Sequence, residues 1–122
     1  MSVGQFVFML HSHLPYYRKA GMWPFGEENL YECMAETYVP LLNAISELYD
    51  EGIKAKLTVG ITPILAEQLN DEHLQNGFVE YIDSRIASVS KDLDRYPDPK
   101  VAHSQHLKYL AKYYFDLWNK LR

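Results

Sequence analysis

The sequence predicts an α/β fold, with a βαβ unit at the N-terminus and a helix-rich second half. Three observations carry that prediction. Residues 5–10, QFVFML, form an unbroken apolar run bounded by Gly4 and His11. A run of that length without alternation suits a strand buried on both faces, as in a parallel sheet. A second strand-like run, KAKLTVGIT at 54–62, comes after an intervening helical pattern. Beyond it, apolar residues recur mainly at three- and four-residue spacing. The order strand, helix, strand makes the two strands parallel, joined by a right-handed crossover.

Each element follows from local chemistry. The loop at 14–26 carries Pro15, Gly21, Pro24 and Gly26. A helix begins at Gly26 or Glu27, with Glu27 and Glu28 in its first turn, where the helix dipole favours negative charge. It runs to about Glu51 and stops at Gly52. Pro40 interrupts it, and a kink or break is expected near Val39 because proline lacks the N–H and crowds the preceding turn. After the second strand, Thr62 stands at an N-cap position and Pro63 at the first helical position. A long helix is expected from about Asp71 to Tyr96, with Leu74, Phe78, Ile82, Ile86, Val89 and Leu93 as its apolar stripe. YPDPK at 96–100 ends it. The last helix, from about Val101 to the end at 122, presents Leu107, Leu110, Tyr114, Leu117 or Trp118, and Leu121.

The totals narrow the function. At 122 residues the chain has the length of one domain, and 48% hydrophobic with 23% charged residues is a globular composition. A formal net charge of −4 argues against a nucleic-acid surface, which would be basic. No stretch approaches a membrane span, and FVFML is too short for a signal-peptide core and lacks a preceding basic residue. The chain therefore reads as cytoplasmic. The single Cys33 fits that setting and reads as an ordinary buried helix thiol. Aromatic residues make up 14% of the chain, a composition that sugar-binding proteins also use, because a flat ring covers the apolar face of a sugar.

Chemistry concentrates in HSHLPYYRKAGMWPFGEE, residues 11–28. His11 and His13 fall just past the first apolar run, and period-two geometry points both to one side. Ligands and catalytic groups of parallel α/β folds gather at that end of the strands. The pair admits two readings. One is a metal site of the amidohydrolase type, which needs further ligands from later strands. The other is substrate binding, with both imidazoles hydrogen-bonding sugar hydroxyls. The remaining histidines, His73, His103 and His106, fall in helical or linker segments; His103 and His106 share a helix face and read as a solvated pair.

The stretch HLPYYRKAGMWPFGEE resembles the N-terminal signature of glycoside hydrolase family 57, particularly its 1,4-α-glucan branching enzymes. LYECMAETYVPLL at 30–42 and GITPILAEQL at 60–69 continue the resemblance in the family's order, over roughly residues 5–96. The resemblance implies an incomplete (β/α)7 barrel of which this chain is the N-terminal βαβ portion. It implies an α-glucan partner such as glycogen, amylose or starch, and no cofactor or metal. His11 and His13 then line the floor of the glucan site, and Trp23 borders the cleft and stacks on a glucose ring. Tyr16 and Phe25 shape that wall, Glu27 and Glu28 are helix-start residues, and Thr62 and Pro63 support the mouth of the second strand. The family's retaining mechanism uses a nucleophilic Glu and an acid Asp from later strands. No catalytic residue is therefore assigned within these 122 residues, and the site needs the remainder of the barrel. Two parallel strands with unpaired edges point the same way, to a portion of a larger domain. A non-catalytic glucan-binding module is the other reading compatible with the aromatic loop.

Overall fold

The computed structural model describes residues 3–98 and 100–121. Pro99, inside the expected break, and Arg122, at the end of the expected last helix, lie outside the described residues. The fold is α/β and helix-rich. Two short strands, β1 (Met9–Ser12) and β2 (Thr58–Ile61), pair in parallel, with Met9 opposite Thr58 and Ser12 opposite Ile61.

Parallel pairing matches the expectation; the strand limits correct it. Residues 5–8 and 54–57 lie outside the strands. The apolar pattern reports a demand for burial, whereas a strand lasts only where a partner supplies backbone hydrogen bonds. The ladder is flanked by Thr58 N–H to Phe8 O (3.0 Å) at one end and Thr62 N–H to Ser12 O (3.2 Å) at the other. β1 therefore sits further along the chain than its apolar run and takes in His11, which the sequence places beyond the strand. The strands are not buried on both faces either: Met9 is 67% exposed and Ile61 52%.

Alternation assigns Leu10, Ser12, Val59 and Ile61 to one face of this sheet, and Met9, His11, Thr58 and Gly60 to the other. The first face looks across an apolar groove of about 350 Å³ towards Leu41 and Ile45 on one helix and Leu65 on another. The second face is open, with Met9, His11 and Thr58 exposed.

The helices follow the sequence closely. α1 (Glu27–Cys33) and α2 (Val39–Asp50) are joined by a π-helical turn, Met34–Tyr38. No break occurs at Pro40. The Val39 N–H instead reaches Met34 O, five residues back, and Val39 keeps helical dihedrals. Widening the turn just before the proline accommodates its bulk without ending the helix. Gly52 follows α2 as expected. α3 (Pro63–Leu69), α4 (Glu72–Arg95) and α5 (Ala102–Lys120) complete the chain. Asp71 caps α4, its Oδ1 accepting the Leu74 N–H at 3.0 Å.

The core lies among the helices rather than against the sheet. Leu30, Tyr31 and Ala35 meet Leu65, Leu74, Phe78, Tyr81, Ile82 and Leu117. Along the α4 stripe Leu74, Phe78, Ile82 and Val89 are buried while Ile86 and Leu93 are only half-buried, and Tyr81 joins it without having been expected there. On α5, Leu107 and Leu117 are buried while Leu121, one residue past the helix, is exposed. Tyr113 ties α5 to the π-helical turn by donating its hydroxyl to Ala35 O at 2.6 Å.

One close approach carries a prediction. A Cβ at Gly77 would overlap the Tyr31 hydroxyl, and Tyr31 is fully buried. Gly77→Ala is expected to destabilise the protein by about 1–2 kcal/mol despite alanine's better helix propensity, since an overpacked core shifts at that order of cost. Urea unfolding of the two proteins checks it; a stabilised variant would refute the packing.

Candidate functional site

The site is built where the chain leaves β1. His11 lies within the strand, opposite Gly60 in register, on the open face of the sheet. His13 follows one residue after the strand, and its Nδ1 lies 3.3 Å from the Thr62 hydroxyl, just past β2. The parallel register thus brings the C-terminal ends of both strands together and sets one imidazole across them. Both histidines are exposed.

The loop at 14–26 then closes on itself through the start of α1. Gly26, the N-cap residue, offers no side-chain cap. Two loop carbonyls take that role: Glu27 N–H donates to Gly21 O (2.9 Å) and Glu28 N–H to Met22 O (3.2 Å). These are amides that an α-helix leaves without internal partners. The approach needs glycine at 26, because a Cβ there would overlap the Gly21 carbonyl oxygen. Between the pinched ends, Trp23, cis-Pro24 and Phe25 form the tip. Trp23 is 77% exposed and Phe25 83%. Phe25 holds φ at 61° and Lys19 at 67°, left-handed conformations that a side chain tolerates only when its surroundings impose them.

Glu27 imposes the one at Lys19. The sequence assigns Glu27 only to the helix start, which is correct but incomplete. Its carboxylate is buried; Oε1 accepts the Lys19 N–H at 3.0 Å, the Tyr31 hydroxyl donates to Oε2 at 3.3 Å, and His73 Nε2 lies 3.2 Å from Oε2. Burial raises its pKa, but the Lys19 N–H, His73 and the Tyr31 hydroxyl together outweigh that and hold it below the ordinary 4.5. Burial and the neighbouring Glu27 charge push the Tyr31 phenol up to about 12. Glu28 is likewise more than a helix-start residue, pairing with Arg85 at 2.5 Å.

The first half of the loop is held by the helices after β2. Gln68, almost fully buried on α3, donates to Pro15 O (2.9 Å) and accepts the Tyr17 N–H at Oε1 (2.6 Å). Arg18 pairs with Asp71 at 3.0 Å. Gln68, His73 and Asp71 were not identifiable as loop anchors from sequence. Their partners stand 46 to 53 residues away, and the i, i+4 spacing of Glu27 and Tyr31 is the one local hint.

The two histidines are thus on adjacent backbone at the strand ends, and Trp23 stands on a separate, anchored tip. Among the described residues no hydrogen bond or ring contact joins Trp23 to either histidine, and Tyr16 is 61% exposed. No group of three His, Cys, Asp or Glu side chains converges among the described residues. His103 and His106 are exposed on α5, against Tyr96 and Tyr109 respectively. Cys33 is half-buried, and burial together with Glu32 and Glu36 pushes its thiol up, away from reactivity. No helix among the described residues is long and apolar enough to cross a membrane.

Comparison with known proteins supplies the context. The model of glycosyl hydrolase family 57 matches residues 7–120. The chain is 42% identical over 118 residues to the 1,4-alpha-glucan branching enzyme TK1436 of Thermococcus kodakarensis, covering 97% of this chain and 17% of that protein. The crystal structure of TK1436 in complex with glucose and additives superposes with a TM-score of 0.82 at 38% identity, covering 94% of this chain and 21% of that one. The GH57-type branching enzyme of Pyrococcus horikoshii gives a TM-score of 0.87 at 39% identity, over 93% of this chain and 21% of that one. The alpha-amylase AmyC of Thermotoga maritima gives 0.78 at 28% identity, over 95% and 22%. The chain thus spans about a fifth of the length of the relatives it matches. A match over nearly all of its residues, together with a shared fold at this level of identity, shows that the chain belongs to glycosyl hydrolase family 57.

Proposed function

We propose that these residues are the N-terminal portion of the catalytic barrel, an incomplete (β/α)7 barrel, of a 1,4-α-glucan branching enzyme. In that reading the open sheet face carrying His11 faces the barrel interior, and the groove-lined face turns to the helices outside. Exposed apolar strands and unpaired sheet edges support it, since such surface marks a place where other structure packs. The chain builds one wall of a glucan cleft in a cytoplasmic enzyme of glycogen-like polymer synthesis. His11 and His13 hydrogen-bond glucose hydroxyls, and Trp23 stacks on a ring. The nucleophile and the acid of retaining transfer come from outside these residues, and no cofactor or metal takes part. Branching is favoured over hydrolysis because identity to the structurally matched branching enzymes is 38–39% against 28% to the amylase.

The observation that carries the reading is Trp23, 77% exposed at the tip of a loop whose base is tied down on every side. An exposed indole on so constrained a support suits stacking against the flat face of a sugar. A pull-down on insoluble starch tests it. Trp23→Ala is expected to lower retention about tenfold, the loss of burying one large aromatic side chain. Equal retention of both proteins, or stoichiometric zinc held by His11 and His13, would overturn it.

A further inference from the structure

Thr62 occupies the N-cap position of α3 with extended dihedrals, φ −70° and ψ 150°, yet its side chain makes no capping hydrogen bond. Threonine at that position ordinarily turns its hydroxyl onto the exposed amides of the first turn. Asp71 does so nine residues later, at the start of α4. The Thr62 hydroxyl instead lies 3.3 Å from His13 Nδ1. Its backbone is fixed on both sides: the N–H donates to Ser12 O at 3.2 Å, extending the strand ladder, and the carbonyl accepts the Ala66 N–H at 2.9 Å. A hydroxyl mounted on so rigid a junction is a reference point for whatever it touches.

We propose that Thr62 is a positioning residue that acts through His13. Its hydroxyl engages Nδ1, fixes the plane of the imidazole across the two strand ends and leaves Nε2 for the ligand. An imidazole so held presents one nitrogen in one direction, which suits recognition of a sugar hydroxyl at a defined place. The proposal rests on the glucan reading of this site and deepens it: Thr62 belongs to the glucan-binding machinery, not to the helix cap.

The test uses ring-nitrogen NMR of His13 and a maltoheptaose titration on the same samples. Thr62→Val is expected to move the Nδ1 resonance and to weaken maltoheptaose binding about fivefold, the effect of one neutral hydrogen bond. Thr62→Ser should restore both. In a His13→Ala background, Thr62→Val should cost no further affinity, because a residue acting through another has nothing left to act on. An Nδ1 resonance that does not move, or an undiminished loss in the His13→Ala background, overturns the proposal. Absence of maltoheptaose binding by the unmodified chain would instead sink the glucan reading, while the Nδ1 resonance still decides whether Thr62 holds the ring.

Discussion

Incubated with amylose, the 122-residue chain is expected to form no new α-1,6 linkages. Retaining transfer needs two carboxyl groups facing each other at about 5–5.5 Å across the scissile bond. Neither strand contains an Asp or Glu, and residues 13–26, which follow β1, contain none. The first acidic side chain after β1 is Glu27, whose two oxygens are engaged by Lys19, Tyr31 and His73. The first after β2 is Glu67, on α3. Among the described residues, neither of these first acidic side chains after the strands is therefore free to pair across a sugar proposed to bind at the histidines. Loss of a nucleophile alone lowers turnover by about a million-fold in a well-studied hydrolase, and in the proposed reading both groups come from outside these residues. Debranching the product and measuring chain lengths reads the result. Turnover above the uncatalysed background would mean that the chemistry lies within these residues, and the assignment of one wall without reacting groups would fall.

Replacing Glu27 with alanine is expected to destabilise the protein by about 3 kcal/mol and to release the loop. The variant strands the Lys19 N–H and the Tyr31 hydroxyl, one of them on the fully buried Tyr31, and hydrogen bonds to a charged group are the costly ones to lose. The left-handed Lys19 then has nothing holding it. Chemical denaturation measures the loss, and a drop below about 1 kcal/mol would show that the carboxylate is a bystander. The same group makes stability depend on acid. Its folded pKa lies below the ordinary 4.5, so the unfolded chain takes up the proton first. Its contribution is complete above pH 4.5 and disappears as pH falls through the folded value. Glu27→Gln should flatten that acid limb of the stability curve, and an unchanged limb would assign it to other carboxylates.

What the sequence showed and what it hid divide along one physical line. The α4 stripe of Leu74, Phe78 and Ile82 was legible because helical burial is written in local spacing. The parallel pairing was legible from the order of elements. The strand limits were not, because a strand ends where its partner does, and β2 lies almost 50 residues from β1. Pro40 announced an irregularity, but whether a helix breaks or widens depends on what packs against it, and Ala35 in the turn before it is fully buried. At the site, the histidines and Trp23 stood out by residue type. The anchors did not: Glu27 reads as a routine first-turn acid until His73 arrives from α4, and Thr62 reads as a routine cap until His13 arrives from β1.

The closure of the Trp23 loop by the first amides of α1 has a consequence for recognition. The tip cannot swing away without baring the Glu27 and Glu28 amides, so its motion is yoked to the unravelling of a helix end. Stiffness usually has to be supplied when a ligand arrives, at the expense of affinity. Here it is inherited from secondary structure, so in the proposed reading a sugar ring settling on the indole would meet a surface held in place beforehand.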